Sequence, residues 1–160
     1  MASFLEAVTK TLNYEKGLVD DPRDPGGLTN WGISQRAHPN LTPDQIRNMT
    51  PVVASSIYAS EYWPARYAKI FDQVLAQQLF DFGVTSGIHT AVQTLQGCIF
   101  VRGGPAVDGV FGQVTLDLVN SRGRQLRVDF VTERLRFYAG LNKPEFLHSW
   151  FHRTIDGCLT

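Results

Sequence analysis

Glu15 closes a helix-forming stretch; a second carboxylate, Asp24, follows nine residues later, and a hydroxyl, Thr29, five residues beyond that. An acid, an anion and a hydroxyl in that order are the groups that break a glycosidic bond. One carboxyl protonates the leaving oxygen while a second group stabilises the sugar carbon or activates a water beside it. Asp24 precedes Pro25 and the Gly26-Gly27 turn, which can fold it back over the helix end. Asp20 and Asp24 also fit the first and fifth positions of a calcium loop. Pro22 at the third position, Pro25 at the sixth and Trp31 at the twelfth exclude it, since a glycine is needed at the sixth and a glutamate at the twelfth. The plainer alternative for Glu15 is a surface glutamate opposed by the helix dipole.

The elements that must carry these residues are legible in outline. Ser3-x-x-Glu6 is a capping box that starts a helix at Phe4. Leu5, Val8, Leu12 and Glu15 follow at spacings of three and four, and Gly17 stops the helix. Glu15 therefore projects from the apolar face as a half-buried carboxyl, a setting that suits a general acid. Leu28 to Ile33 reads as a short strand after the glycine turn. Thr42-Pro43 and Thr50-Pro51 each pair a helix cap with a first-turn proline, and Pro64 ends the second of these helices. An apolar helix through Leu75, Leu79 and Phe82 stops at Gly87. Further helical patterns run through Ala91–Phe100, Gln113–Asn120, Arg124–Ala139 and Pro144–Arg153. The fold class is mostly α with a small β-hairpin near the N-terminus. A glycine-rich gap around Arg102 to Gly112 suggests a lobe of residues 1–90 and a helical lobe of 91–160, packed as one compact domain.

Trp31, Tyr58 and Tyr62 offer rings for stacking on sugar faces, although aromatics at helical spacing more often serve the core. Asp81 and Thr85, one helical turn apart, are further candidates to face a substrate. His38, His89, His148 and His152 have no ligand spacing, and two cysteines, Cys98 and Cys158, make neither a zinc site nor a disulfide framework. No metal or cofactor is expected. The 160 residues carry 15 basic and 15 acidic side chains, so the chain has no nucleic-acid footprint. Arg122, Arg124, Arg127, Arg134 and Arg136 cluster, most simply as a solvated helix face. No stretch approaches the ~20 apolar residues that span a bilayer, so no membrane insertion is expected. The N-terminus lacks the basic start and apolar core of a signal peptide, which implies synthesis in the cytoplasm.

The run Glu15-Lys16-Gly17-Leu18-Val19-Asp20-Asp21-Pro22-Arg23-Asp24-Pro25-Gly26-Gly27-Leu28-Thr29-Asn30-Trp31-Gly32-Ile33-Ser34 resembles the signature of glycoside hydrolase family 108, the phage-type N-acetylmuramidases. Ile57-Tyr58 with Tyr62-Trp63, and Phe80 to Gly87, are similar to the family's later blocks. Leu95-Gln96, Val107 to Gly112 with Thr115, Arg134 to Tyr138 and Phe146 to Trp150 resemble the peptidoglycan-binding segment that usually follows. The resemblance implies a lysozyme-like helical fold and cleavage of the β-1,4 bond between N-acetylmuramic acid and N-acetylglucosamine. It implies Glu15 as the acid; more distantly, the glutamate-aspartate-threonine spacing resembles the triad of the classical phage endolysin lysozymes, which implies Asp24 and Thr29 as its partners. Peptidoglycan would be the substrate, reached through a holin or another release route. Two positions depart from the family: Lys16 replaces a glycine, and Thr85 stands where asparagine is usual. A lytic transglycosylase and a non-catalytic wall-binding module are the alternatives.

Overall fold

The computed structural model describes residues 1–15, 17–20, 27–100 and 105–158. Asp24 and part of the glycine-rich gap lie outside the described residues. Helix α1 spans Phe4–Glu15, and the Ser3 hydroxyl accepts the Glu6 N–H at 3.3 Å, as a capping serine should. Its buried stripe is Ala7, Val8, Thr11 and Leu12, while Leu5 is 72% exposed. The stripe begins at Phe4 because that ring packs on Trp63 and Phe80. Counting in threes and fours from Phe4 still brings Glu15 to the inner face.

The expected single strand over Leu28–Ile33 is instead a hairpin. Strand β1 (Leu18–Val19) pairs antiparallel with β2 (Thr29–Asn30), which pairs with β3 (Ile33–Ser34). Trp31 and Gly32 connect β2 to β3 with φ of 51° and 76°. Positive φ at both central residues is the two-residue turn that matches strand twist. Glycine adopts it without cost; tryptophan does so at about 1–2 kcal/mol. Two bonds hold Trp31 there: its indole N–H donates to the Met49 carbonyl at 3.1 Å, and its own carbonyl accepts from the Tyr58 hydroxyl at 3.0 Å.

Helices α2 (Pro43–Arg47) and α3 (Pro51–Tyr62) begin at the expected threonine caps, Thr42 and Thr50. A 3-10 turn over Ala65–Lys69 leads to α4 (Gln73–Ser86), buried without a break from Leu75 to Gly83. A helix covered on every side is the axis of a core; α1, α3, α5 (Ile88–Ile99) and α6 (Gln113–Gly140) all pack on it. Phe80 lies edge-on to Phe4, Tyr58 and Trp63, and Phe82 meets Phe130, Phe137 and Tyr138. Buried apolar side chains from Ala2 to Tyr138 form one cluster. The two helices expected after Gly112 are the arms of α6, broken at Gly123, where φ is 63° and ψ −154°. Helix α7 (Pro144–Asp156) returns along α6 towards α1.

One sequence expectation is overturned at Arg134. It does not belong to a solvated face: its side chain is fully buried and donates to Gln78 and Asp81. Cationic side chains enter a core only with such partners. Cys98 and Cys158 are both free thiols. Among the described residues no helix is long and apolar enough to cross a membrane.

Candidate active site

The α1 stripe delivers Glu15 to the end of a cleft of about 450 Å³. One wall is the hairpin and the loop after it, through Gly32, Ile33, Ala37 and His38. The other is helical: Tyr14 and Glu15 of α1, Tyr58 and Tyr62 of α3, Val84 and Thr85 of α4, and Ser149, Trp150 and Arg153 of α7. A groove of this size suits a ligand held by several short contacts. The larger hollow, about 840 Å³ between α5 and α6, shares no lining residue with it and contains neither Glu15 nor any other residue proposed for the chemistry.

Below Glu15 runs a chain of alternating charge. Arg153 Nη1 donates to Glu15 Oε1 at 2.5 Å, and the same guanidinium grips Asp81 through Nε at 2.9 Å and Nη2 at 2.7 Å. Asp81 Oδ2 also accepts from Arg134 Nη2 at 2.6 Å, and Oδ1 from the Thr11 hydroxyl at 2.8 Å. Two carboxyl groups and two guanidinium groups thus alternate along it. Burial by itself would push the Asp81 carboxyl up. Arg153 and Arg134, by charge and by hydrogen bond, outweigh it and hold the group at about 2. Arg153 shows the mirror effect: burial opposes its charge, while Asp81 and then Glu15 raise its affinity for the proton. The Glu15 side chain is 23% exposed. With Oε1 on Arg153, Oε2 lies against Gly32, where an added Cβ would stand 2.9 Å from it and 2.3 Å from the Tyr58 hydroxyl.

Of the residues singled out from sequence, Glu15, Tyr58, Tyr62 and Thr85 share the cleft. Tyr58 is only 2% exposed, so its ring faces the core and its hydroxyl edge faces the site. Burial, then the charge of Glu15, raises its phenol. Burial likewise raises Tyr62. The Thr85 hydroxyl is 2.6 Å from that of Tyr138. Asp81 lies beneath the cleft, gripping Arg153. Thr29 does not line the cleft, and its hydroxyl donates to the Gly27 carbonyl at 3.2 Å. Trp31 is outside the lining as well, holding its turn through Met49.

Sequence reasoning left most of the lining unassigned, and four of those residues bear on the chemistry. Arg153 is the most consequential; the signal for it was a cation one helical turn after Trp150 on the apolar stripe of α7, a place that demands a buried partner. Trp150 stacks on Tyr138 at 4.9 Å and 19°. The Tyr14 hydroxyl donates to Asp156, and burial with that carboxylate pushes the phenol up to about 12. His38 bridges the two walls, with Nδ1 3.2 Å from the Ser34 carbonyl and Nε2 3.1 Å from both oxygens of Glu61 on α3.

Comparison with solved structures finds SagA of Brucella abortus, 28% identical, superposing with a TM-score of 0.79 over 96% of this chain and 90% of that one. Comparison with curated proteins gives no significant match. The model of the family Glycosyl hydrolase 108 matches residues 8–87, half of the chain, from the core of α1 through the end of α4. That stretch holds Glu15, the turn beside it and the buried carboxylate beneath it, and the chain belongs to glycosyl hydrolase family 108 and is a glycoside hydrolase.

Proposed function

We propose that this enzyme is an endolysin-type N-acetylmuramidase that hydrolyses the β-1,4 bond between N-acetylmuramic acid and N-acetylglucosamine of peptidoglycan. The observation that carries this reading is Glu15 at the cleft wall, one carboxyl oxygen held by Arg153 and the other turned towards Gly32. In that arrangement Oε2 carries the proton to the glycosidic oxygen. Arg153 fixes the direction of transfer, since an oxygen that accepts from a guanidinium is not the one that holds the proton. Asp24 positions the attacking water or stabilises the oxocarbenium-like transition state, and Thr29 helps from outside the cleft lining, its hydroxyl bonded to the Gly27 carbonyl. Tyr62, Thr85 and Trp150 hold the sugars, and the helices after residue 90 add contacts to the wall polymer. The chemistry needs no metal or cofactor. A holin or another release route brings the enzyme to the wall of its host.

Mass spectrometry of purified peptidoglycan digested with wild type and with Glu15→Gln tests this directly. Muropeptides ending in reducing N-acetylmuramic acid, absent from the mutant digest, are expected. Anhydro-muropeptides would make the enzyme a lytic transglycosylase. Intact wall with protein bound in both digests would make it a binding module.

A further inference from the structure

We infer that Tyr58 and the Trp31-Gly32 turn form a seat for Glu15 Oε2, with Tyr58 as a positioning residue for the acid. This rests on the reading of Glu15 as the proton donor. Three observations meet at one point. Gly32 presents bare backbone to Glu15: a Cβ there would fall 2.9 Å from Oε2 and 3.1 Å from the Glu15 Cβ. The same Cβ would fall 2.3 Å from the Tyr58 hydroxyl, so phenol and carboxyl converge on the patch that glycine leaves open. The hydroxyl donates to the carbonyl of Trp31, the residue held at φ 51°.

Strained backbone persists only where its surroundings over-determine it, and it gathers at active sites. Here the surroundings are two hydrogen bonds, one from the Trp31 indole to Met49 and one from Tyr58. The ring of Tyr58 packs in the core as a phenylalanine would, edge-on to Phe80. Only its oxygen does something that phenylalanine cannot. Without that oxygen the turn relaxes and Gly32 moves off. Glu15, still tethered through Oε1 to Arg153, is then free to tilt about that bond. Misplacement by an ångström costs up to about a hundredfold in rate.

The test is Tyr58→Phe in the full chain, assayed on soluble uncrosslinked glycan strands beside wild type, Glu15→Gln and Gly32→Ala. The expected result is a kcat lowered by roughly tenfold or more, an unchanged KM, a displaced alkaline limb of the kcat–pH profile, where the proton donor ionises, and a fold intact by circular dichroism. Gly32→Ala, which puts a methyl into the seat, is expected to give the same split between kcat and KM. Wild-type kcat and pH profile in Tyr58→Phe would overturn the inference. So would a rise in KM with kcat retained, which would make Tyr58 a substrate contact. Should Tyr58→Phe fail to fold, Gly32→Ala decides alone, and wild-type kcat and pH profile there overturn the seat. Activity retained in Glu15→Gln would sink the acid assignment itself. An inactive Glu15→Gln beside an unperturbed Tyr58→Phe sinks only the seat.

Discussion

Arg153 touches both the carboxylate proposed for the chemistry and the one buried beneath it, so its two jobs separate by substitution. Arg153→Ala leaves Asp81 with one cation in the core and Glu15 without its tether. Breaking a buried pair this way costs about 3–5 kcal/mol, and urea unfolding is expected to show a loss of that size. Arg153→Lys keeps the charge but not the planar fork that spans two carboxylates. It is expected to fold, with a lowered melting temperature and a kcat reduced far more than its stability; a kcat equal to wild type would show that charge alone suffices. Glu15 was legible in the sequence because its cue is local, the phase of one short helix. Arg153 was not, because its partner stands 138 residues away. Arg134 misled for a related reason: a run of arginines reads as a solvated face until the carboxylate that draws one of them inwards is known.

Helix ends announced themselves through chemistry confined to a few residues. Thr42 and Thr50 cap where expected, and Gly87 terminates α4 with φ of 87°. The hairpin was half legible: its turn needs positive φ twice, and tryptophan at the first position hides a signal that asparagine would have shown. Gly123 presents the opposite case, a break inside what is otherwise one helix. Its φ of 63° and ψ of −154° fall in a region open to glycine alone, and nothing lies within 4 Å of where a Cβ would project. Gly123→Ala is therefore a purely conformational substitution. It is expected to cost about 1–3 kcal/mol, visible in thermal melting, while turnover at low temperature stays near wild type. A neutral result would mean that α6 straightens through residue 123 at little expense.

For the molecule as a whole, the charge chain beneath the cleft predicts how stability responds to acid. Asp81 sits at about 2 in the folded state against an ordinary value of 3.8. A carboxyl whose folded value lies below its unfolded one stabilises the fold above the unfolded value and loses that contribution as pH falls through the folded one. The window runs from about pH 4 down to about pH 2, and the contribution is about 2 kcal/mol. Melting temperatures are expected to fall most steeply there, and that slope is expected to flatten in Asp81→Asn, which should be less stable at neutral pH because it leaves two buried arginines short of a charge. An unchanged slope would place the acid-sensitive group elsewhere. The span from Glu15 to Arg153 has a further consequence, one of timing. Translation delivers the proposed acid with the first helix and the guanidinium that orients it only with α7. A chain still on the ribosome can hold the first without the second, so hydrolytic competence arrives late in synthesis, when α7 docks against α1.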